Sequence, residues 1–415
     1  MSVPTWTLLP FAGLVAAVAV LPEVVPALWQ KHRVQALVTT ACATPAAVFC
    51  LTHGYSSHLA HAARDYATFV LTLGALFVAA GGVHLDGDFD GTPRENLLFV
   101  LVGSLLASVV GTTGASMLLL RPFLRANARR TRRWHLAPFF MLTVANAGGL
   151  LTPLGDPPLL VGFLQGVPFF WTLHLLPAWF LYVGSSAFAL YYVDRRAYAR
   201  EPAAVVRVLP AESKPLTIRG LPNLLLLALV PLAAFLPAGL RELVLLAVTL
   251  GAHFGGSRAI RRDNAVSLAP IVEVGLVFAG LFACLVPVEL GLTERAGALP
   301  LRHAWQFFWV SGALSSVLDN APTYAALTAV ARGVSGSGAT LVAGVDPLLL
   351  AAVSVGSVVM GATTYIGNGP NLMVKTVAER AGHVLPSFFR YALFAFAVML
   401  PAHLVVTAAL ILLER

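Results

Sequence analysis

The sequence has little charge. Only 11% of its 415 residues are Asp, Glu, Lys or Arg, whereas 58% are hydrophobic. Soluble domains carry roughly 25% charged residues, so a chain this apolar would aggregate in water. Apolar stretches long enough to cross a hydrocarbon core of about 30 Å recur along the whole length. We therefore predict an all-α polytopic membrane protein with a single membrane domain over residues 1–415.

Cysteine is also scarce, and enzyme motifs are absent. The three cysteines, Cys42, Cys50 and Cys284, lie in apolar stretches without metal-ligand spacing. This pattern excludes a disulfide framework and a zinc site. The sequence contains no GxxxxGK[ST], GxSxG or HExxH motif, which argues against ATP drive and against hydrolase chemistry. We expect no enzyme activity and no cofactor other than a transported or coupling ion.

The net charge of +8 comes from basic residues that cluster in a few loops. Such clusters at the ends of membrane spans set orientation, because cytoplasmic loops retain Lys and Arg. We therefore predict that the loops at 121–133, 195–219 and 256–264 are cytoplasmic. The same clustering gives no reason to expect a nucleic-acid partner.

Hydrophobic patterning predicts ten membrane-spanning segments. Two further apolar stretches, 96–120 and 303–331, are interrupted by Gly111-Thr112-Thr113-Gly114 and by Asp319-Asn320-Ala321-Pro322. We interpret both as re-entrant hairpins, because non-helical backbone at membrane depth survives only where protein buries it or water lines it. The predicted spans are 5–29, 35–53, 65–83, 135–165, 170–194, 220–237, 239–255, 266–290, 347–378 and 387–412.

The two halves of the chain resemble each other. Residues 108–115 align with 315–322, and 152–158 align with 364–370, at offsets of 207 and 212. The predicted repeats are 1–194 and 220–412, joined by a cytoplasmic linker at 195–219. Each repeat has a hairpin, a broken helix and five full crossings. Because five is odd, the second repeat would enter the membrane inverted, an architecture that recurs in transporters.

Asp156 and Asp319 lie at these breaks, within apolar stretches. An ionised aspartate at the bilayer centre costs about 2.5–3.5 kcal/mol, so we expect both to face water and to bind ions or protons. Asp and Asn are also favoured helix caps, which is the alternative reading. The breaks supply oxygen ligands of the kind that hard cations prefer, and free helix N–H groups that suit an anion. These further candidates are Thr112, Thr113, Asn146, Thr152, Asn320, Thr323, Thr363, Thr364, Asn368 and Asn371, with Glu273 as a candidate proton site.

The motifs at the breaks carry a family resemblance. They are GTTGASM at 111–117, NAGGLLTPLGDPP at 146–158, SVLDNAPTY at 316–324 and TYIGNGPN at 364–371. The chain resembles bacterial sodium/proton antiporters of the NhaD-like and citrate-transporter-like group, within the ion transporter superfamily. The resemblance implies a homodimer in the bacterial inner membrane, with a fixed scaffold and a mobile domain that moves as an elevator. It also implies Na⁺ sites at the hairpin tips and unwound helices, here Thr112, Thr113, Asn146, Asp319, Asn320 and Thr364.

These observations together predict a Na⁺(Li⁺)/H⁺ antiporter. A sodium-coupled symporter of di- or tricarboxylates on the same scaffold is the first alternative. An anion substrate would require positive charge at the site, and the sequence shows none there, which favours the antiporter. Arsenite efflux and a membrane protein without transport activity are weaker alternatives.

Overall fold

A computed structural model describes residues 3–87, 90–202, 217–264, 266–336 and 340–415. Most of the predicted linker, 203–216, lies outside these residues. The fold is helical, with one pair of antiparallel strands, His84–Asp86 and Thr217–Arg219. The α-helices are Leu8–Val24, Pro26–Trp29, His32–Thr52, Ser56–Gly81, Pro93–Ala126, Leu136–Thr143, Pro157–Leu164, Leu176–Tyr198, Leu221–Ala233, Leu240–Gly255, Arg258–Asp263, Ala269–Arg295, Ala304–Ser315, Asn320–Val334, Pro347–Met360, Gly369–Arg380 and Phe388–Leu413, and the 3₁₀ turns are Thr5–Thr7, Ala147–Leu151, Phe169–Leu175, Ala296–Ala298 and Gly361–Thr363.

Among the described residues, seven helices are long and apolar enough to cross a membrane, so the chain is an all-α polytopic membrane protein. The boundaries differ from the predicted ones mainly at one helix, which begins at Ser56 and not near residue 65. Its first residues are polar, and hydropathy alone therefore missed them. The helices that meet these criteria are Thr5–Pro22, His32–Thr52, Ser56–Gly81, Pro93–Ala126, Phe169–Tyr198, Ile271–Ala298 and Phe388–Leu413. Pro93–Ala126 meets them by length and composition, but it does not cross as one straight span because it folds back on itself.

The helix Pro93–Ala126, called hairpin A below, folds back on itself. It begins at a capping box, in which the Glu95 N–H donates to the Thr92 hydroxyl and the Thr92 N–H donates to the Glu95 carboxylate. Near its ends, the Asn96 and Asn127 side-chain amides donate to each other at 3.0 and 2.7 Å. A straight helix would separate residues that far apart in sequence by roughly 46 Å. The chain therefore reverses, and it does so at Gly111, where φ is 81°.

The reversal is narrower than the sequence indicated. Gly111 has a positive φ that only glycine adopts readily, whereas Thr112, Thr113 and Gly114 keep helical geometry. The sequence placed the interruption at Gly111-Thr112-Thr113-Gly114, and the structure narrows it to Gly111. The arms of hairpin A are also longer than the predicted 96–120.

A second pair of helices, Ala304–Ser315 and Asn320–Val334, forms hairpin B. Arg302, just before the first helix, donates to the Ala296 carbonyl at 3.4 Å. Gly333, near the end of the second helix, packs so closely on Ala296 that a Cβ on it would lie 2.5 Å from the Ala296 methyl group. Both ends thus lie beside the same residue, and the turn between them contains Asp319.

Two helices are interrupted in the middle. Between Leu136–Thr143 and Pro157–Leu164 lies break A, residues 144–156, and between Pro347–Met360 and Gly369–Arg380 lies break B, residues 361–368. Each break contains a short 3₁₀ turn and then extended backbone, and each following helix has proline in its first turn. Both breaks overlap the segments that the sequence alignment paired, 152–158 and 364–370.

The basic loops meet at one end of the molecule. Arg121 donates to the Asp263 carbonyl at 3.1 Å, and Arg219 pairs with the Asp263 carboxylate at 3.4 Å. Arg133 donates to the Gly382 carbonyl at 3.1 Å. The loops that the charge pattern assigns to the cytoplasm therefore share one face.

Candidate ion-binding site between the hairpin tips

Asp156 lies at the centre of the candidate site. It is buried and immediately precedes the helix Pro157–Leu164. Thr112 at the tip of hairpin A donates to Oδ1 at 2.9 Å, and Asn320 at the tip of hairpin B donates to Oδ2 at 2.6 Å. Asn368 in break B donates to Oδ1 at 3.3 Å. One carboxylate therefore joins both hairpins and both breaks, and the three groups that donate to it are uncharged.

A chain of buried asparagines supports this carboxylate. The Asn368 amide also donates to Asn146 Oδ1 at 3.1 Å, and the Asn146 amide donates to Asn371 Oδ1 at 2.7 Å. Asn371 in turn donates to the carbonyls of Gly361 and Thr364, at 3.0 and 2.9 Å. Each amide is therefore oriented by hydrogen bonds to its neighbour.

The two hairpins contact the two breaks through matching hydrogen bonds. In the first half, the Ser108 hydroxyl donates to the Gly148 carbonyl at 2.5 Å, and the Thr152 hydroxyl donates to the Ser108 carbonyl. In the second half, the Ser316 hydroxyl donates to the Met360 carbonyl at 2.9 Å, and the Thr364 hydroxyl donates to the Ser316 carbonyl at 2.5 Å. The same contacts recur at offsets of 208 and 212.

This pattern corrects the sequence alignment by one residue. Ser108 corresponds to Ser316, and not to Ser315 as the sequence alignment had it. The shift matters because it equates Thr112 with Asn320. These are the two tip residues that donate to Asp156.

Close backbone packing also recurs in the two breaks. A Cβ on Gly155 would lie 2.0 Å from the Gly149 carbonyl oxygen, and a Cβ on Gly367 would lie 2.6 Å from the Gly361 carbonyl oxygen. Real Cβ atoms do not approach oxygen this closely, so both positions require glycine.

Hairpin B adds a second acidic group and an unused ligand atom. Asp319 immediately precedes the helix Asn320–Val334, and its carbonyl accepts from the Thr323 hydroxyl at 3.0 Å. The buried Asn320 Oδ1 has no hydrogen-bond partner among the described residues. An unpaired buried oxygen is costly, and it is the kind of ligand that a hard cation prefers.

A cavity of about 560 Å³ opens beside this cluster. Both hairpin tips and both breaks line it, and Thr113 and Asp319 form part of its wall. Arg121 and Arg380 also line the cavity, and neither residue was assigned to the site from the sequence. Arg121 was assigned only to a topology signal, because its approach to the cavity depends on how hairpin A folds.

The remaining predicted residues lie away from Asp156. Glu273 lines the cavity from the helix Ala269–Arg295, and it accepts from Trp29 Nε1 at 2.8 Å. The Thr152 and Thr364 hydroxyls hold the hairpins, as described above. Thr363 is partly buried in the 3₁₀ turn of break B. The structure therefore brings together Thr112, Asn146, Asp156, Asn320, Asn368 and Asn371.

Comparison with known proteins identifies a family. Residues 1–412 match the sequence profile of a family described as "putative citrate transport". A search of curated proteins finds no significant match. The profile covers nearly the whole chain, and the helices form a multi-pass membrane protein. The chain belongs to this citrate transport family of membrane transporters.

Proposed function

We propose that this protein is a secondary transporter that couples a cation bound at Asp156 to the movement of a small carboxylate. The central observation is that Asp156 receives three uncharged donors, from both hairpins and break B. Hydrogen bonds to a charged group contribute about 1.5–3 kcal/mol each, but they do not neutralise it. Na⁺ or H⁺ supplies the missing positive charge, and Asn320 Oδ1 is available as a further oxygen ligand.

Two observations favour a carboxylate over ion exchange alone. Arg121 and Arg380 line the cavity, so an anion that enters meets positive charge first. The family description also names citrate transport. The antiporter prediction relied on the lack of positive charge at the site, and the two arginines in the wall of the adjoining cavity weaken that argument.

Na⁺/H⁺ exchange is the second candidate. It is favoured by the presence of two carboxylates, Asp156 and Asp319, in contact with the same cluster and cavity. A carboxylate that loads Na⁺ and H⁺ alternately exchanges one for the other.

The matching hydrogen bonds of the two halves support two inverted repeats that pack tip to tip around Asp156. Such a pseudo-symmetric site fits elevator-type alternating access, in which the hairpins, the breaks and the helices bonded to them move against the rest of the protein. We propose this mechanism, a homodimer and a location in the bacterial inner membrane, as the family resemblance implies.

The decisive experiment measures coupling in purified protein. In a symporter, citrate should raise the affinity for Na⁺. Thermodynamic linkage then requires that Na⁺ raises the affinity for citrate by the same factor. We expect Na⁺ titrations by calorimetry to show a several-fold gain in affinity with citrate present. Uptake of labelled citrate into proteoliposomes, under a Na⁺ gradient or a pH gradient, then identifies the coupling ion. If citrate leaves Na⁺ affinity unchanged while acid pH weakens it, ion exchange is the function and the carboxylate assignment fails.

A further inference from the structure

A second buried polar centre lies at the open end of hairpin A, far from its tip. Asp194 accepts from Arg130 at 2.5 Å, from His135 Nε2 at 2.9 Å and from Asn96 at 2.8 Å. Asn127 completes the centre, since Arg130 donates to its Oδ1 at 3.0 Å. All five side chains are buried. We call these residues, Asn96, Asn127, Arg130, His135 and Asp194, the anchor centre.

The anchor centre joins three separate segments. Asn96 and Asn127 hold the ends of the two arms of hairpin A, and Asp194 lies in the helix Leu176–Tyr198. His135 immediately precedes the helix Leu136–Thr143, which leads into break A. Two of these segments therefore lead to the Asp156 site, one at Thr112 and the other at Asn146.

The anchor centre lies at the opposite end of hairpin A from the Asp156 site, so a change in orientation there is transmitted along the arms to the tip. Gly111 lies 15 residues from Asn96, which corresponds to roughly 22 Å along a helix. A small rotation at the open end moves the tip by a larger distance. The Thr112 hydroxyl lies 2.9 Å from Asp156 and has to stay within hydrogen-bonding distance to donate to it.

An ion pair at this depth is not explained by stability alone. Apolar residues of similar volume often replace a buried ion pair without loss of stability, whereas the pair fixes directions that apolar packing leaves free. Among the described residues at the open end of hairpin B, the ion pair is exposed: His303 and Glu414 lie 3.4 Å apart with side-chain exposures of 57% and 28%.

We propose that Arg130, His135 and Asp194 are positioning residues that lock hairpin A to the helix Leu176–Tyr198 and so set the distance from Thr112 to Asp156. This role deepens the proposed function, on which its transport consequence rests. The locked unit moves as one body. Loosening it lowers the binding affinity for the coupling cation first, because Thr112 donates to the cation-binding carboxylate.

The test variant replaces both partners, as Arg130→Met with Asp194→Leu. Glu201, which lies 3.9 Å from Arg130, keeps its hydrogen bonds from Thr131 and from the Arg132 N–H. We expect the half-saturating concentration of the coupling cation to rise at least fivefold, with the maximal rate of labelled citrate uptake within twofold. The matched control neutralises the exposed pair of hairpin B, as His303→Gln with Glu414→Gln, and should change both values less than twofold. If the half-saturating cation concentration of the Arg130/Asp194 variant equals that of the unaltered protein, the proposal is overturned.

A second readout does not depend on what is transported. Spin labels at Leu98 on hairpin A and Phe188 on the helix Leu176–Tyr198, both exposed, report the distance between the two segments. We expect a narrow distance distribution in the otherwise unaltered protein, in the hairpin B control and under all ion conditions. It should broaden in the Arg130→Met, Asp194→Leu variant. An unchanged distribution in that variant overturns the locking role even if citrate proves not to be the substrate.

Discussion

The two hairpins meet at one carboxylate but are built differently. Hairpin A turns through backbone geometry, at Gly111, and presents a single hydroxyl from Thr112. Hairpin B turns at Asp319 with an ordinary φ of −58°, and it presents a carboxylate and an amide. The comparison indicates that hairpin A supplies shape while hairpin B supplies charge and ligand atoms.

The largest effect should come from removing the carboxylate on which both hairpins converge. Asp156→Asn keeps the size of the side chain but cannot balance a cation, so we expect coupled uptake in proteoliposomes to fall at least ~100-fold, equivalent to about 2.7 kcal/mol. Asp346→Asn is the matched control. Asp346 caps the helix Pro347–Met360 through the N–H groups of Leu348 and Leu349, and asparagine caps equally well. Comparable loss in both variants would show that the effect is not specific to the site.

The next prediction separates the two tips. Thr112→Val removes one hydrogen bond to Asp156, and we expect cation affinity to fall about tenfold, since such bonds contribute about 1.5–3 kcal/mol. Asn320→Ala removes a hydrogen bond and also the unpartnered Oδ1. The cation affinity of this variant should therefore fall further than that of Thr112→Val. Calorimetric cation titrations measure both, with Thr112→Ser as the variant that retains the hydroxyl. Equal effects at the two tips would contradict the division of roles between the hairpins.

A smaller effect should distinguish the two glycines near the tip of hairpin A. Gly111→Ala forces a side chain into a positive φ, and its Cβ would lie 3.1 Å from the Leu154 carbonyl oxygen. At φ 81° and ψ 152° the backbone is in a region essentially confined to glycine, so the strain is about 1–3 kcal/mol. Thermal unfolding in detergent should register it as a drop of several degrees. Gly114→Ala is the control, because its Cβ would meet ordinary contacts at 3.4 Å and beyond. If both variants unfold at the same temperature, the turn is not fixed at Gly111.

The smallest effect concerns the pH dependence of stability, through His383 in the loop after the helix Gly369–Arg380. Burial, and then the positive charge of Arg133, lowers the pKa of His383 from 6.5 to about 4. The unfolded chain therefore binds more protons than the folded chain between these values. Stability should be complete above pH 6.5 and decline as the pH falls towards 4. Unfolding temperatures of His383→Gln should decline less over this range, whereas the exposed His58→Gln should match the parent protein.

The sequence was informative about the positions of the breaks and less so about what surrounds them. Gly155-Asp156-Pro157 and Gly367-Asn368-Gly369 are turn-forming segments inside apolar stretches, so both interruptions were predicted from local chemistry. The anchor centre was not. Arg130 belongs to a basic loop and Asp194 adjoins two arginines, so both residues resembled ordinary topology signals.

The contact between Asn96 and Asn127 explains why such features escape sequence reasoning. Their amides meet only because the chain reverses at Gly111, midway between them. The reach of Arg121 into the cavity depends on the same reversal. A one-residue alignment error at Ser108 also concealed the equivalence of Thr112 and Asn320, because serine occupies both 315 and 316.

The cavity has an electrical consequence. If it is filled with water that is continuous with the solution on one side, a space of about 560 Å³ beside the hairpin tips would bring the potential of that solution close to the Asp156 site. The transmembrane voltage then falls mainly across the protein on the other side of the site. Release of a cation into the cavity is nearly independent of voltage. The voltage dependence then falls on the step that carries uncompensated charge across the remaining barrier. The electrical work of that step is about 2.3 kcal/mol per charge at 100 mV.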